Sequence, residues 1–301
     1  MTDQSTAADL GESVTPEELH ARLARGEPLT ILDTRDRDEF ESWHVDGANV
    51  RAIQVPHVRF IQAEVAGSAA DLAAEHDLDG PVVAVCARGE ASDHAAALLR
   101  DVGIDAANLE GGMEAWARAY VATELDPDDG RSDGPSIRQY VRPSSGCLAY
   151  LIYDDGEAIL VDSLRAFADR YVSDADELDV EIVSVVDTHV HADHLSGLRE
   201  VAERTRATAY PPAGATDRGL AFEVSLLEDG DELPVGDSSI GALSVPGHTS
   251  EMTALRAGNV LLTGDSLFVE SVARPDLEAG AEGAPELAER LHASLHDRLL
   301  S

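Results

Sequence analysis

Hydrophobic and polar positions in the first third of the chain alternate between short apolar runs and helical patterns. The runs TILDTR, residues 30–35, and PVVAVCA, residues 81–87, are separated by such patterns. This alternation is typical of a parallel α/β sheet. Thr15, Pro16 and Glu18 have the order of an N-cap, a first-turn proline and a capping box, which predicts a helix starting at residue 16.

The second half of the chain has the pattern of hairpins and one buried strand. Residues 147–163, CLAYLIYDDGEAILVDS, predict two strands joined at an Asp-Gly turn, and residues 254–264, ALRAGNVLLTG, repeat this scheme at a Gly-Asn pair. Residues 181–189, EIVSVVDTH, predict a buried strand. A final helix should turn one apolar face to the core through four leucines, Leu287, Leu291, Leu295 and Leu299.

A polar segment separates the two halves. Residues 124–136, ELDPDDGRSDGPS, are rich in Asp, Gly, Pro and Ser and have no apolar period. We therefore expect a domain over 13–122, a linker over 123–137 and a second domain over 138–301.

The charge of the chain is strongly one-sided. Its formal net charge is -36, and all 22 basic residues are arginine. Such an excess of carboxylates should repel nucleic acids and anionic membranes, and it favours a protein adapted to high salt over an acidic mesophilic protein. The sequence contains no run of eighteen apolar residues, its beginning is polar, and its two cysteines suggest no disulfide framework. We therefore expect a cytoplasmic protein without membrane contact.

The segment DTHVHADHLSG, residues 187–197, concentrates metal-binding side chains at the end of the predicted buried strand. A loop there can direct imidazole and carboxylate groups to one point while the sheet holds their backbone. Two later segments, PGHTS with His248 and LLTGDSLF with Asp265, each follow a strand-like run. Four candidate ligands have the spacing H-x-H-x-D-H: His189, His191, Asp193 and His194.

These motifs resemble the metallo-β-lactamase superfamily, which implies an αββα sandwich over residues 138–301. With VARPDL added, they resemble its persulfide dioxygenases, the ethylmalonic-encephalopathy-type sulfur dioxygenases, more than the lactamases. The resemblance implies one ferrous ion held by His189, His248 and Asp265. Two imidazoles and one carboxylate also suit Fe(II), because octahedral iron keeps open positions for dioxygen and substrate.

The resemblance leaves two roles open for the other polar residues of the motif. His191, Asp193 and His194 either orient the iron ligands or complete a second metal site, as in dinuclear hydrolases. Arg274 either binds the carboxylate of a thiol carrier or forms a structural ion pair with Asp276.

The end of the sequence departs from the family pattern. The family continues past its final helix into a strand and a P-x-H motif, whereas this sequence stops at Ser301. We therefore expect an incomplete second sheet and no complete two-metal site. This expectation counts against a zinc-dependent thioester hydrolase of the glyoxalase II type, which needs a metal-bridging hydroxide. That hydrolase remains one alternative, and a noncatalytic sulfur carrier is another.

The first domain resembles the rhodaneses through ILDTRDRDEFESWHVDGA, VVAVCARGEASDHAAALL and LEGGMEAW. Cys86 lies on a loop that enters a helix, where backbone N–H groups favour a thiolate and can cradle a persulfide. We predict that it carries sulfane sulfur, against the alternative of an inert buried cysteine. Arg88 is the candidate anion-binding residue, although Glu90 opposes anions and Ala91 replaces the usual loop arginine.

The two resemblances imply one area of metabolism. A persulfide dioxygenase converts a persulfide, dioxygen and water to sulfite and a thiol, and a rhodanese moves sulfane sulfur between thiols, sulfite and thiosulfate. The expected partners are a small-molecule thiol persulfide, dioxygen and sulfite, with no nucleic acid or membrane. The formation of a homodimer is left open.

Overall fold

The computed structural model describes residues 10–125, 134–269 and 271–301. Contacts divide the chain into two compact units, of which the first contains the residues up to Val121 together with Val141–Cys147. The second contains Ala122–Tyr140 and Leu148–Ser301. In the described part of the chain, every helix is too short or too polar to cross a membrane.

The first unit is built on a five-stranded sheet in which every pair is parallel and the strand order is β1-β5-β4-β2-β3. Its described strands are β1 (Ser13–Val14), β2 (Leu29–Asp33), β3 (Val50–Gln54), β4 (Val82–Val85) and β5 (Ala106–Leu109). Its described helices are α1 (Pro16–Ala24), α2 (Arg37–Ser42), α3 (His57–Ala66), α4 (Ala69–Glu75), α5 (Glu90–Asp101) and α6 (Gly112–Arg118).

Both faces of this parallel sheet are buried by helices. Leu32 belongs to a core cluster with Phe60 of α3 and Leu99 of α5, whereas its neighbour Ile31 belongs to a cluster with Trp116 of α6. Successive strand residues point to opposite faces, so both faces need apolar side chains. This requirement explains the continuous apolar runs in the sequence.

The predicted start of the first helix is confirmed. The Thr15 hydroxyl accepts a hydrogen bond from the Glu18 amide at 3.1 Å, and the Glu18 carboxylate accepts one from the Thr15 amide at 2.9 Å. Pro16 occupies the first helical position, where no amide hydrogen is needed.

The second unit contains two sheets. The six-stranded sheet has the order β11-β10-β9-β8-β7-β6, and the four-stranded antiparallel sheet has the order β12-β13-β14-β15. The six-stranded sheet contains β6 (Val121–Leu125), β7 (Ser136–Val141), β8 (Leu148–Asp154), β9 (Glu157–Val161), β10 (Glu181–Val186) and β11 (Thr208–Tyr210). The four-stranded sheet contains β12 (Glu232–Val235), β13 (Ser238–Ser244), β14 (Thr253–Ala257) and β15 (Val260–Leu262), and the described α-helices are α7 (Ala168–Glu177), α8 (Leu198–Thr205) and α9 (Gly280–Ser294).

The two sheets enclose one hydrophobic core. Ile159 and Val186 of the first sheet share it with Ile240 and Leu255 of the second. Helices α7 and α8 pack on β10, and Leu291 of α9 packs against the loop between β13 and β14. The layers are therefore helix, sheet, sheet and helix, as the sequence predicts.

The structure differs in detail from two sequence predictions, the linker and the apolar face of the last helix. The ends of the predicted linker 123–137 are strands, since β6 ends at Leu125 and β7 begins at Ser136, while residues 126–133 lie outside the described residues. On the last helix, Leu287 and Leu291 are buried. Leu295 and Leu299 are only partly buried, because the helix changes there to a π-helical turn over Leu295–Leu299.

Candidate functional site

Three predicted iron ligands come together at one edge of the sandwich. His189 follows β10, His248 lies in the loop between β13 and β14, and Asp265 follows β15. Their ligand atoms lie within 4.8 Å of one another. The Asp265 Oδ2 atom is 3.8 Å from His189 Nε2 and 3.6 Å from His248 Nε2. Ligand atoms about 2.1 Å from one metal are at most about 4.2 Å apart, so these separations suit a bound ion.

Hydrogen bonds set the proton position on His189. Asp162, the residue after β9, accepts from the Thr188 hydroxyl at 2.9 Å and from the Thr188 amide at 2.7 Å. The Thr188 hydroxyl has a single hydrogen, and this hydrogen is donated to the Asp162 carboxylate. The hydroxyl oxygen therefore accepts a hydrogen bond from His189 Nδ1 at 3.0 Å. The lone pair of His189 is therefore on Nε2, the atom that faces Asp265.

His248 is oriented in the same way by a carbonyl group. Its Nδ1 lies 3.3 Å from the backbone oxygen of Arg274, which can only accept a hydrogen bond. A hydrogen is therefore on Nδ1, and the neutral form of the ring has its lone pair on Nε2, the atom that faces Asp265. Both imidazoles thus offer an unprotonated nitrogen at the same point, which is what a divalent metal requires.

Burial has opposite effects on the two kinds of ligand in the cluster, because it favours the neutral form of both imidazole and carboxyl groups. It lowers the pKa of His189 to about 3, with a further contribution from the charge of His191, so that His189 is neutral at pH 7. Burial raises the pKa of Asp265. The Asp265 side chain is nevertheless 43% exposed, which leaves one side of the cluster open to a small molecule.

The other motif residues lie beside this trio. His191 is in a separate buried cluster with Asp162 and Asp187, and its Nε2 is 3.1 Å from Asp162 Oδ1. Burial lowers the pKa of His191, but Asp162 outweighs it and raises that pKa to about 9. Burial raises the pKa of Asp187 to about 7. His191 is therefore a cation that neutralises Asp162.

Asp193 and His194 form a pair at the next turn of the loop. His194 Nδ1 is 3.1 Å from Asp193 Oδ1. The other ring nitrogen, Nε2, is buried and has no hydrogen-bond partner among the residues that the structure describes. The Asp193 side chain is 61% exposed. Neither residue belongs to the cluster of His189, His248 and Asp265.

Sequence reasoning missed two carboxylates that shape the site. Asp162 ends the apolar run ILVD as Asp187 ends SVVD, and this parallel between two buried strands was the available signal. Glu251 is buried, and it accepts from the Val190 amide at 3.1 Å and from the Arg218 guanidinium at 3.2 Å. It thereby holds the loop that follows His189, and no local pattern marks it.

Arg274 contributes to the site through its backbone carbonyl. Its side chain is 70% exposed and pairs with Asp276, with 2.7 Å between Nη2 and Oδ2. The ion pair expected as one alternative is thus present. Binding of a thiol carrier's carboxylate by Arg274 stays a prediction.

Cys86 lies in the first unit, on the loop between β4 and α5. Its sulfur is 3.0 Å from the Gly89 amide and 3.2 Å from the Ser92 hydroxyl. Burial raises the pKa of Cys86, but the Ser92 hydroxyl and the backbone N–H groups of Ser92, Arg88 and Gly89 outweigh it and lower that pKa. The loop therefore favours a thiolate, as the sequence predicts for a sulfur carrier.

The glycine pair of LEGGMEAW is Gly111 and Gly112, and Gly112 packs directly against the backbone of this loop. A Cβ on Gly112 would lie 2.2 Å from the Cys86 carbonyl oxygen. This close approach lets the Met113 amide donate to that oxygen at 2.8 Å. Cys86 and Arg88 line an open cleft of about 520 Å³, and Arg88 pairs with Glu114 at 3.3 Å.

The chain matches two protein families. The family described as "Rhodanese-like domain" matches residues 15–119, and the family described as "Metallo-beta-lactamase superfamily" matches residues 143–301. These matches confirm the predicted α/β fold class, a rhodanese-like domain with a parallel sheet followed by a metallo-β-lactamase fold.

Curated relatives resemble about half of the chain. "Persulfide dioxygenase ETHE1, mitochondrial" of Bos taurus is 28% identical over 172 residues, covering 55% of this chain and 63% of that protein. "Hydroxyacylglutathione hydrolase" of Methylococcus capsulatus is 32% identical over 146 residues, covering 48% of this chain and 56% of that protein. This chain therefore spans less than two thirds of the length of these relatives.

A solved structure is also similar. The "Crystal structure of ETHE1 from Myxococcus xanthus" is 33% identical to this chain with a TM-score of 0.48, and the match covers 55% of this chain and 69% of that one. Because one family match covers residues 143–301, more than half of the 301 residues, the chain belongs to the metallo-beta-lactamase superfamily.

Proposed function

We propose that the chain is a persulfide dioxygenase that uses one ferrous ion and has a sulfurtransferase domain attached. The observation that carries this proposal is the donor set of His189, His248 and Asp265, two imidazole lone pairs and one carboxylate around a partly open position. This set suits iron that must also bind dioxygen and substrate. The similarity to proteins named persulfide dioxygenase supports the same reaction.

The proposed reaction converts R–S–SH, dioxygen and water to R–SH, sulfite and two protons. Bound Fe(II) would supply redox chemistry and a meeting place for dioxygen and the terminal sulfur. The chain's own residues hold that place. Asp162 and Thr188 keep the lone pair of His189 on Nε2, and the Arg274 carbonyl does the same for His248. Glu251 holds the backbone of Val190 beside them.

Cys86 would act as the sulfur carrier in the first unit. Its thiolate would attack the outer sulfur of a persulfide, the S–S bond would break, and R–S⁻ would leave. The Gly89 amide and the Ser92 hydroxyl would stabilise negative charge on sulfur during this exchange. Ala91 leaves the loop without its usual arginine, so we expect slow transfer from thiosulfate, a dianion.

A thioester hydrolase with zinc is the second candidate. It is favoured by the 32% identity to a protein named hydroxyacylglutathione hydrolase and by the nearby donors Asp193 and His194. Metal content and oxygen dependence distinguish the two. The dioxygenase should bind one iron per chain and consume dioxygen with glutathione persulfide. The hydrolase should bind two zinc ions and cleave an acylglutathione without dioxygen.

The test uses the full chain in molar salt, reconstituted anaerobically with Fe(II) or Zn(II). His248→Ala should abolish both iron retention and persulfide-dependent oxygen uptake, because only two protein ligands remain. His296→Ala, which changes an exposed histidine in the π-helical turn after α9, is the matched control and should retain both. Oxygen-independent thioester cleavage by the zinc form alone would overturn the dioxygenase proposal.

A separate variant tests whether the two sites work independently. Cys86→Ser should retain oxygen uptake with glutathione persulfide and lose sulfur transfer, because a hydroxyl cannot carry sulfane sulfur as a thiolate does. If Cys86→Ser transfers sulfur as fast as the unaltered protein, Cys86 is not the carrier. Loss of oxygen uptake as well would show that sulfur reaches the metal site through Cys86.

A further inference from the structure

A chain of three hydrogen-bonded side chains ends at the Cys86 cleft. Glu64 and His57 lie two turns apart on α3, and His94 lies on the neighbouring helix α5. His94 Nε2 is 3.0 Å from Glu64 Oε2, and His94 Nδ1 is 3.0 Å from His57 Nε2. His57 lines the same cleft as Cys86.

The hydrogen positions along this chain follow from its carboxylate end. The Glu64 carboxylate accepts, so His94 donates through Nε2 and, as a neutral ring, keeps a lone pair on Nδ1. That lone pair accepts from His57 Nε2. The remaining lone pair of His57 is therefore on Nδ1. The Glu64 carboxylate, acting through His94, therefore selects one tautomer of His57.

The protein holds His57 as a neutral base. The His57 amide donates to the Thr34 carbonyl at 3.0 Å, and the two imidazoles meet edge to face with 5.2 Å between centroids. Burial lowers the pKa of His57, which favours the neutral imidazole. A neutral imidazole with one free lone pair at the wall of a reactive cleft is suited to accept a proton.

The other charged groups of the cleft are less suited to this task. Among the described residues that line it, His57 is the only imidazole. Arg35 and Arg88 are cations, and they pair with Asp33 and Glu114, two carboxylates that do not line the cleft. The lining also contains three carboxylates, Asp36, Glu39 and Glu90. An ordinary carboxylate is a much weaker base than imidazole, and its negative charge opposes formation of a thiolate next to it.

We propose that His57 is the base that deprotonates an incoming acceptor thiol during sulfur transfer from Cys86, with Glu64 and His94 as its positioning residues. The proposal rests on the sulfur transfer proposed above. The proton of R′–SH passes to His57 Nδ1 while the R′ sulfur bonds to the outer sulfur of the Cys86 persulfide. The Sγ–S bond breaks, the Cys86 thiolate leaves, and R′–S–SH is released. His57 then returns the proton to water.

This role makes the rate depend on which acceptor is used. A thiol must lose a proton before it attacks, whereas the sulfite dianion has none to lose. A structural contribution of His57 would affect both acceptors alike. The two acceptors therefore separate proton transfer from support of the fold.

The test follows single turnovers of the full-length protein without dioxygen, so that the proposed oxygenase consumes no persulfide. Cys86 is first loaded with sulfur from glutathione persulfide, and the added sulfur atom is verified by mass. The loaded protein is then mixed with dithiothreitol or with sulfite. His57→Gln should slow transfer to dithiothreitol by about 100-fold, the lower range for loss of a general base, with a far smaller loss for sulfite.

Two further variants test the positioning role of Glu64 and provide a control histidine. Glu64→Gln changes an exposed side chain that lies outside the cleft lining, and it should slow transfer to dithiothreitol by a smaller factor because the tautomer of His57 is no longer selected. His20→Gln removes a histidine of α1, outside the cleft lining, and should match the unaltered protein with both acceptors.

The base assignment and the sulfur transfer can fail separately. Equal losses for dithiothreitol and sulfite in His57→Gln, or no loss for dithiothreitol, would overturn the base assignment while sulfur transfer stands. An unaltered protein that takes up no sulfur on Cys86 would overturn sulfur transfer itself and the base assignment with it. That result is seen in the loading step, before any variant is compared.

Discussion

Replacing Gly112 with alanine tests whether this first residue of α6 holds the Cys86 loop in place. Gly112 has a φ of +58°, in the left-handed region, and its position leaves no room for a side chain. A Cβ would lie 2.2 Å from the Cys86 oxygen and 2.8 Å from the amide nitrogens of both Arg88 and Gly89. All three contacts are backbone atoms, which cannot turn away as a flexible side chain would.

The expected loss of stability has two parts. Left-handed backbone costs alanine about 1–2 kcal/mol, and forcing a methyl group into packed backbone costs about 1–3 kcal/mol more. The sum is about 2–5 kcal/mol. Gly67→Ala is the matched control, because Gly67 has a φ of +65° with nothing within 4 Å of an added Cβ, so only the first cost applies.

Reactivity of Cys86 should change together with stability. The Gly89 amide, which the added methyl group would displace, donates to the Cys86 sulfur at 3.0 Å and helps to lower the pKa of Cys86. Moving this donor away raises that pKa, so less thiolate exists at neutral pH. Alkylation of Cys86 by iodoacetamide should therefore be slower in Gly112→Ala than in Gly67→Ala.

Thermal unfolding and alkylation, followed by mass spectrometry of the Cys86 peptide, measure the two effects. The steric cost of about 1–3 kcal/mol corresponds to a melting temperature about 4–12 °C lower for Gly112→Ala than for Gly67→Ala, at about 4 °C per kcal/mol. If the two variants melt together and alkylate at the same rate, the argument that Gly112 supports the loop is refuted.

Three further predictions concern the metal site, the thiol and the surface. Thr188→Val should weaken metal binding by about 10–100-fold in a metal titration, because the hydroxyl that keeps the His189 proton on Nδ1 is lost; unchanged affinity would contradict this. Ser92→Ala should raise the pKa of Cys86, seen as an upward shift in the pH midpoint of alkylation, and a downward shift would count against the thiolate argument. The melting temperature should rise from low to molar potassium chloride, because a screening length of about 3 Å at 1 M relieves repulsion in a chain of net charge -36, and a flat or falling curve would refute adaptation to salt.

The sequence by itself determined the features that depend on neighbours a few residues apart. The capping box at Thr15 and Glu18 and the turn at Asp155–Gly156 between β8 and β9 were both predictable. Each is set by hydrogen bonds and backbone preferences within one turn of chain. The apolar runs also predicted a sheet covered on both faces, because burial of both faces requires them.

Family resemblance extended this reach to three predicted metal ligands, whose ligand atoms the structure brings within 4.8 Å of one another. His189, His248 and Asp265 are far apart in sequence, and each was marked by a motif after a strand-like run. Their meeting at one point depends on two sheets packing face to face. Spacing within one motif does not contain that information, which is why His191, Asp193 and His194 were equally good candidates from composition alone.

Only the tertiary structure decided which groups orient the reactive atoms. The pairing of Val161 with Val186 brings the ends of β9 and β10 together, so that Asp162 reaches Thr188 and fixes the proton on His189. Packing of α3 against α5 joins His57 to His94 and so connects the Cys86 cleft to Glu64. These contacts join residues that are distant along the chain, and they form only when burial of apolar surface aligns whole elements. Local sequence preferences act over a few residues and cannot specify that alignment.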